Sequence, residues 1–323
     1  MATLGADQLG RFFEDGYLVV EGVVGAARLA AVLDDCAEIA VGLVAAAIER
    51  GEVEAAVAAL PWQRQLVELA RATGRDHSQH FDISLPVRGH VDRDTPMNTR
   101  RSVFDVLVDP GLLDAVACLV GPEVTCNPVQ HLRIKLPQAA MPRDAGFLAA
   151  MVPWHQDSGV VLAEADDTCL VTAWVAVTDA TVRNGCLQVV PGSQRAPVLR
   201  HCLQVNQYEI PAELVCELGE PVALEVPAGS VVFLDRRTVH ASLHNTSESD
   251  VRVSLDLRYQ PTGQATGRPL FPAFVARSAA APASALADPA AWARLWDEVR
   301  GQLPDELVPE QFFRWGPTGN LCA

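Results

Sequence analysis

The chain has 323 residues and 49% hydrophobic content, enough for one large core. A net charge of −15, with a sequence pI near 4.9, repels phosphate backbones and anionic lipid heads, so nucleic acid and membrane surfaces are not expected partners. No apolar run reaches the roughly 18 residues of a spanning helix, and eight cysteines without a Cys-x-x-Cys pair suit reduced thiols better than a disulfide framework or zinc knuckle.

Met1–Gln8 lacks the basic start and apolar centre of a secretory signal, so the expected compartment is the cytoplasm. Ala6–Asp15 reads as a short helix with Leu9, Phe12 and Phe13 on one face and Gly16 as its stop. Tyr17–Val20 follows as a strand. From Ala26 to about Glu54, the spacing of Leu29, Val32, Leu33, Cys36, Ile39 and Leu43 is helical. Arg75–Arg101 is polar, interrupted by Pro86, Gly89 and Pro96, and reads as a long loop of the kind that often carries function. Asp109–Val120 is again helical, with Pro110 at its start and Gly121 and Pro122 at its end.

From Val124 the pattern changes to short strands. Leu132–Lys135 and Val171–Val177 alternate, Leu187–Val190 runs into a Pro191–Gly192 turn, and Val231–Leu234 follows Gly229. Val251–Tyr259 puts Val251, Val253, Leu255, Leu257 and Tyr259 on one face, and Arg252, Ser254, Asp256 and Arg258 on the other. Ala276–Ala287 reads as a surface connection and Ala290–Leu303 as a final helix. Short strands separated by Gly/Pro turns, without intervening helices, predict a mainly β fold with flanking α: a double-stranded β-helix (jelly roll, cupin-like) with helices outside. The expected organisation is a single domain, with a helical part over about 1–122, a jelly-roll core over about 123–275 and a helical extension over 276–323.

Chemistry enters at His155 and Asp157. Residues i and i+2 of a strand point to the same side, so this His-x-Asp pair can converge on one metal and needs a third ligand from elsewhere. A face of two histidines and one carboxylate leaves open positions, as an iron that must hold a keto acid and O2 requires. A second histidine, His240, ends the Gly229–Val239 turn and strand; a jelly roll pairs strands distant in sequence, so the 85-residue gap is compatible with adjacency.

Val152–Asp157, Thr172–Trp174, Asn184–Ser193 and the His240–Arg252 stretch together resemble, in the same order, the phytanoyl-CoA dioxygenase family of Fe(II)/2-oxoglutarate-dependent oxygenases. The similarity covers roughly Val124–Gly267, with a weaker echo in Phe12–Val20. It implies Fe(II) held by His155, Asp157 and His240, with 2-oxoglutarate and O2 as co-substrates. Ser242 and Asn245 match family positions two and five residues after the distal histidine, which leaves His244 as a polar loop residue. His131 lies on a strand from which it can face the site, while His77, His80, His90 and His201 fall in loops and are expected to be solvated.

A keto-acid dianion needs its far carboxylate neutralised inside the barrel, a task suited to the planar fork of arginine. Arg252 resembles the family's oxoglutarate arginine at a spacing about one residue longer, which implies an insertion between Asn245 and Arg252. Arg258 is the runner-up, otherwise a surface or mouth residue. Ser242 and Trp174 match positions lining the keto-acid pocket, and Gln130 and Lys135 are further candidates.

The expected activity is hydroxylation or a related oxidative C–H transformation of a small molecule, including ring closure, desaturation or epoxidation, in bacterial secondary metabolism. Halogenation is disfavoured because Asp157 fills the position a halide needs. The competing reading is a non-catalytic jelly-roll protein that binds a small molecule or sugar. The acidic stretch Glu164, Asp166 and Asp167, expected near the barrel mouth, favours a cationic or hydroxyl-rich substrate over an acyl-CoA. The expected oligomeric state is monomer or homodimer.

Overall fold

The computed structural model describes residues 3–75, 77–87, 89–141, 152–203, 208–303, 306–307 and 311–315. Two antiparallel sheets build its centre. The larger has seven strands: Tyr17–Val20, Val231–Asp235, Val171–Ala176, Arg252–Pro261, Glu123–Cys126 and Phe274–Ser278 lie side by side, and His131–Lys135 also pairs with Arg252–Pro261. The smaller joins His240–Ser242, Leu187–Val189 and Val222–Leu224 in that order. This is the antiparallel, helix-flanked jelly roll expected from the strand pattern.

Period-two alternation decides what each face covers. Val171, Ala173 and Val175 pack with Val231, Phe233, Leu255 and Leu257 against the helical part, in one core with Leu29, Val32, Phe104 and Trp292. The alternate residues Trp174 and Ala176 turn inward and meet Leu187, Val189 and Leu224 of the smaller sheet. Arg252–Pro261 is the spine of the molecule. Its first residues pair with His131–Lys135, its last with Glu123–Cys126, and its other edge with Val171–Ala176.

The helix Ala6–Asp15 and the strand Tyr17–Val20 stand where the sequence puts them, joined by Gly16 at φ 81°. The second helix ends at Glu49, short of the expected Glu54, because Gly51 adopts φ 70°. Two helices, Trp62–Thr73 and Arg101–Leu107, have no counterpart in the sequence reading. Much of the 75–101 loop is not surface: Phe81, Asp82, Ile83, Ser84 and Leu85 are buried. The strand Phe274–Ser278 overrides the first residues of the expected 276–287 surface connection, because Ala276 packs into the core beside Phe274. Six described cysteines carry free thiols, whereas Cys202 is disulfide-bonded, against the expectation of reduced thiols throughout. Among the described residues, no helix is long and apolar enough to cross a membrane.

Candidate active site

His155 and His240 face each other across a single antiparallel bridge, each backbone N–H donating to the other's carbonyl at 3.0 Å. Their imidazoles therefore stand side by side, ring centroids 4.1 Å apart. Nδ1 of His155 lies 2.9 Å from the Pro153 carbonyl, and Nδ1 of His240 lies 2.9 Å from the Thr238 carbonyl. A carbonyl only accepts, so both Nδ1 atoms carry the proton and both Nε2 lone pairs are free to ligate. Burial, and then the neighbouring His155, push the His240 imidazole down to about 4, which keeps it neutral.

Asp157 opens the 3₁₀ turn Asp157–Val160 and is fully buried. The Thr172 hydroxyl donates to one carboxylate oxygen and the Arg258 guanidinium to the other. Burial pushes its pKa up, but Arg258, His240 and His155 together outweigh this and hold it well below the usual carboxylate range. One ligand atom from each of His155, Asp157 and His240 lies within 4.8 Å of the others. Two imidazoles with Nε2 free and one ionised carboxylate on one side of a buried space fit a facial metal site with open positions.

A pocket extends inward from these residues, lined by Arg133, Val152, His155, Thr172, Trp174, Leu187, Leu234, His240, Ser242, Arg252 and Asp256. Arg252 stands in it with its guanidinium 5.2 Å over the Trp174 ring. Its Nη1 donates to Ser254 at 2.7 Å, and its Nε has no partner. Burial, and then the charge of Arg133, push it down to about 9. The Ser242 hydroxyl accepts from the Val152 amide at 2.9 Å and from Lys135 Nζ at 2.6 Å. Burial, then Arg252 and Arg133, hold Lys135 well below the usual range.

The structure thus brings together His155, Asp157, His240, Arg252, Ser242 and Trp174, while Gln130 stands apart. Gln130 is fully buried, donates its amide to the Asn127 carbonyl at 2.9 Å and is not among the residues lining the pocket. Arg258, expected as a surface or mouth residue when not an oxoglutarate ligand, is 3% exposed and engaged with Asp157. His131 is paired with Asp82 at 2.9 Å, and His244 is exposed. His201 corrects the solvated-loop expectation: it is fully buried. Asp166 pairs with Arg314 at 2.5 Å, so the exposed acidic stretch is partly neutralised.

Three contributors were given no role of their own beforehand: Thr172, Arg133 and Asp256. The Arg133 guanidinium holds Asp256 at 2.9 Å in the pocket wall. Their signal was present, since Arg133 alternates with Leu132 and Ile134, and Asp256 with Leu255 and Leu257.

Residues 12–254 match the Phytanoyl-CoA dioxygenase (PhyH) family. A phytanoyl-CoA dioxygenase of Arabidopsis thaliana is 29% identical over 108 residues, covering 32% of this chain and 37% of that protein. An ectoine dioxygenase of Bordetella parapertussis is 28% identical over 174 residues, covering 46% of this chain and 54% of that protein. The alignments thus span about half or less of these relatives. The crystal structure of the epimerase SnoN in complex with Fe3+, alpha ketoglutarate and nogalamycin RO superposes with TM-score 0.52 at 19% identity, covering 95% of this chain and 96% of that one, and shares the fold. With the match running through both halves of the His-Asp-His cluster, the chain belongs to the phytanoyl-CoA dioxygenase family.

Proposed function

We propose that this chain is a non-haem Fe(II)/2-oxoglutarate-dependent oxygenase that oxidises a C–H bond of a small molecule. The observation that carries the reading is the convergence of His155, Asp157 and His240 at a buried pocket in which Arg252 keeps an unpartnered N–H. Iron held by those three residues supplies O2 activation coupled to the oxidation of 2-oxoglutarate to succinate and CO2.

The protein's own part is binding and orientation. Thr172 and Arg258 fix the Asp157 carboxylate, so its oxygen is aimed before a metal arrives. Arg252 takes the far carboxylate of the keto acid, with the Trp174 face packed against the guanidinium. Ser242, held by Lys135, borders the same pocket. Val152, Leu187 and Leu234 supply apolar walls that exclude water and strengthen each charge contact. Hydroxylation, ring closure, desaturation and epoxidation remain within reach of this set of residues, since they differ in the substrate rather than in the metal ligands.

The test is anaerobic addition of Fe(II) and 2-oxoglutarate, followed by the visible absorption of an iron–keto acid chelate, and then succinate release on admitting air. A protein that forms neither chelate nor succinate would instead support the binding-protein alternative.

A further inference from the structure

Two arginines flank the Asp157–Val160 turn on which the metal carboxylate sits. Arg258 donates to Asp157 at its start, and Arg268 Nη2 donates to the Val160 carbonyl at its end, at 2.5 Å. The two contacts fall on residues three apart in one 3₁₀ turn, whose backbone rises about 6 Å over that span. Arg258 is 3% exposed and Arg268 is 4% exposed. Arg258 Nε and Nη1 and Arg268 Nη1 have no hydrogen-bond partner. A buried guanidinium N–H left unmatched is costly, and among the described residues only Arg258 of the two is paired with a carboxylate.

The wider interior is out of balance in the same direction. Arg133, Arg252, Arg258 and Arg268 are buried around the pocket and turn, against the carboxylates of Asp157 and Asp256. On the oxygenase reading, Fe(II) and the oxoglutarate dianion cancel each other, so the cationic excess remains for the substrate. Burial, and then the charge of Arg258, push Arg268 down to about 9, the direction expected of a cation that lacks its counter-ion. Arg268 is held from its other side by Phe313 and Phe312, whose rings lie 4.7 and 5.7 Å from its guanidinium carbon. That aromatic backing fixes the guanidinium without supplying charge.

We propose that the substrate carries a carboxylate, seated between the guanidiniums of Arg258 and Arg268 beside the Asp157–Val160 turn. This rests on the oxygenase reading and names the substrate class for it: a small carboxylic acid, anchored at one end so that a neighbouring C–H faces the metal. The sign is opposite to the one expected from the net charge of the chain, because that charge resides on the exterior and the cations line the interior.

Trifluoroacetate is the probe, followed by fluorine NMR line broadening in protein loaded with Mn(II) and the inert keto-acid analogue N-oxalylglycine. Saturable paramagnetic broadening is expected, displaced by acetate but not by tetramethylammonium, and weakened at least about tenfold by Arg268→Met. Arg268→Lys, which keeps charge but not the fork, falls between, and serves alone if the methionine variant does not fold. Phosphate as competitor distinguishes a general oxyanion site, in which it displaces the probe as well as acetate does, from the carboxylate site proposed. No broadening in the wild-type protein, equal broadening in the folded Arg268 variants, or displacement by phosphate as effective as by acetate overturns the proposal. Water relaxation by Mn(II) reports metal binding separately. If it shows none, the oxygenase reading fails, and trifluoroacetate line width in metal-free protein still decides whether Arg268 holds a carboxylate.

Discussion

The imidazole of His201 occupies the space beside Gly159, where a Cβ would lie 1.9 Å from its Cε1. His201 Nε2 accepts from the Gln156 amide and Nδ1 donates to the Leu199 carbonyl, both at 2.9 Å. The ring stacks on Trp315 at 5.6 Å between centroids, and the Trp315 indole donates back to the Gly159 carbonyl at 2.5 Å. A wall two rings deep therefore backs the turn that begins at Asp157. Gly159→Ala forces that wall outward, and a loss of about 1–3 kcal/mol is expected, the usual cost of overpacking a filled site. Urea unfolding measures it. Gly42→Ala, in a helix with open space at the Cβ position, is the comparison and should be neutral or stabilising. Equal effects at the two glycines would mean that His201 does not fill the space.

His201 also makes stability depend on pH. Burial pushes it down to about 3, so the folded protein keeps the ring neutral while the unfolded chain protonates it near the ordinary value of about 6.5. A depressed histidine contributes its full stability above that unfolded value, and the contribution is lost as pH falls from about 6.5 toward 3. Between pH 7 and pH 5 this one group removes about 2 kcal/mol. His201→Gln, which retains an acceptor for the Gln156 amide, should therefore show a pH 7 to pH 5 difference smaller than the wild type by about that amount. His240 shifts in the same direction but is present in both proteins, so it drops out. Identical pH differences would contradict the neutral, buried ring.

The His155, Asp157 and His240 cluster and much of the pocket were legible in the sequence because they depend on local patterns. The His-x-Asp spacing keeps His155 and Asp157 close, although Asp157 opens a 3₁₀ turn where a strand was expected, and the alternation in Val251–Tyr259 separates Arg252 from the core face before any contact is known. His201 was not legible. Nothing within its own stretch announces burial, which comes from the Asp157–Val160 turn and from Trp315, 114 positions further on. Arg258 was misjudged for a related reason. Its face was read correctly, but its partner Asp157 is 101 residues away and already assigned to a metal, so a second demand on that carboxylate had no signature. The helix Trp62–Thr73 was different: Leu66, Leu69 and Ala70 carry helical spacing up to Gly74 at φ 62°, a signal that was available.

For the metal, His155→Ala or His240→Ala removes one of the three proposed ligands, and Co(II) affinity should fall by more than the 10–100-fold typical of losing an outer partner. Thr172→Val keeps the shape and deletes the hydroxyl donated to Asp157, so a loss within about that 10–100-fold range is expected. His244→Ala should retain wild-type affinity, since His244 is exposed. Titration with Co(II), followed by its visible absorption, reads all four proteins. A larger loss in His244→Ala than in His240→Ala would overturn the assignment of the distal ligand.

Arg252 gives the sharpest division of labour. Among the described residues no carboxylate is paired with it, although the guanidinium is 1% exposed and its Nε has no partner. Arg258 has a carboxylate already, in Asp157. A dianion entering the pocket therefore meets Arg252, which lines it without a paired carboxylate, whereas Arg258 is not among its lining residues. Arg252→Ala should weaken 2-oxoglutarate by about 3 kcal/mol or more, at least about 100-fold, while leaving Co(II) affinity near wild type. Arg252→Lys should recover only part of the loss, because an ammonium cannot grip a carboxylate as a fork and lacks the planar face that lies over Trp174. Arg258→Ala should show the reverse pattern, with Co(II) affinity falling first because Asp157 loses its partner. Binding of 2-oxoglutarate to the Co(II) proteins separates these cases. If Arg258→Ala weakened the keto acid more than Arg252→Ala at equal metal occupancy, the two arginines would have to exchange roles.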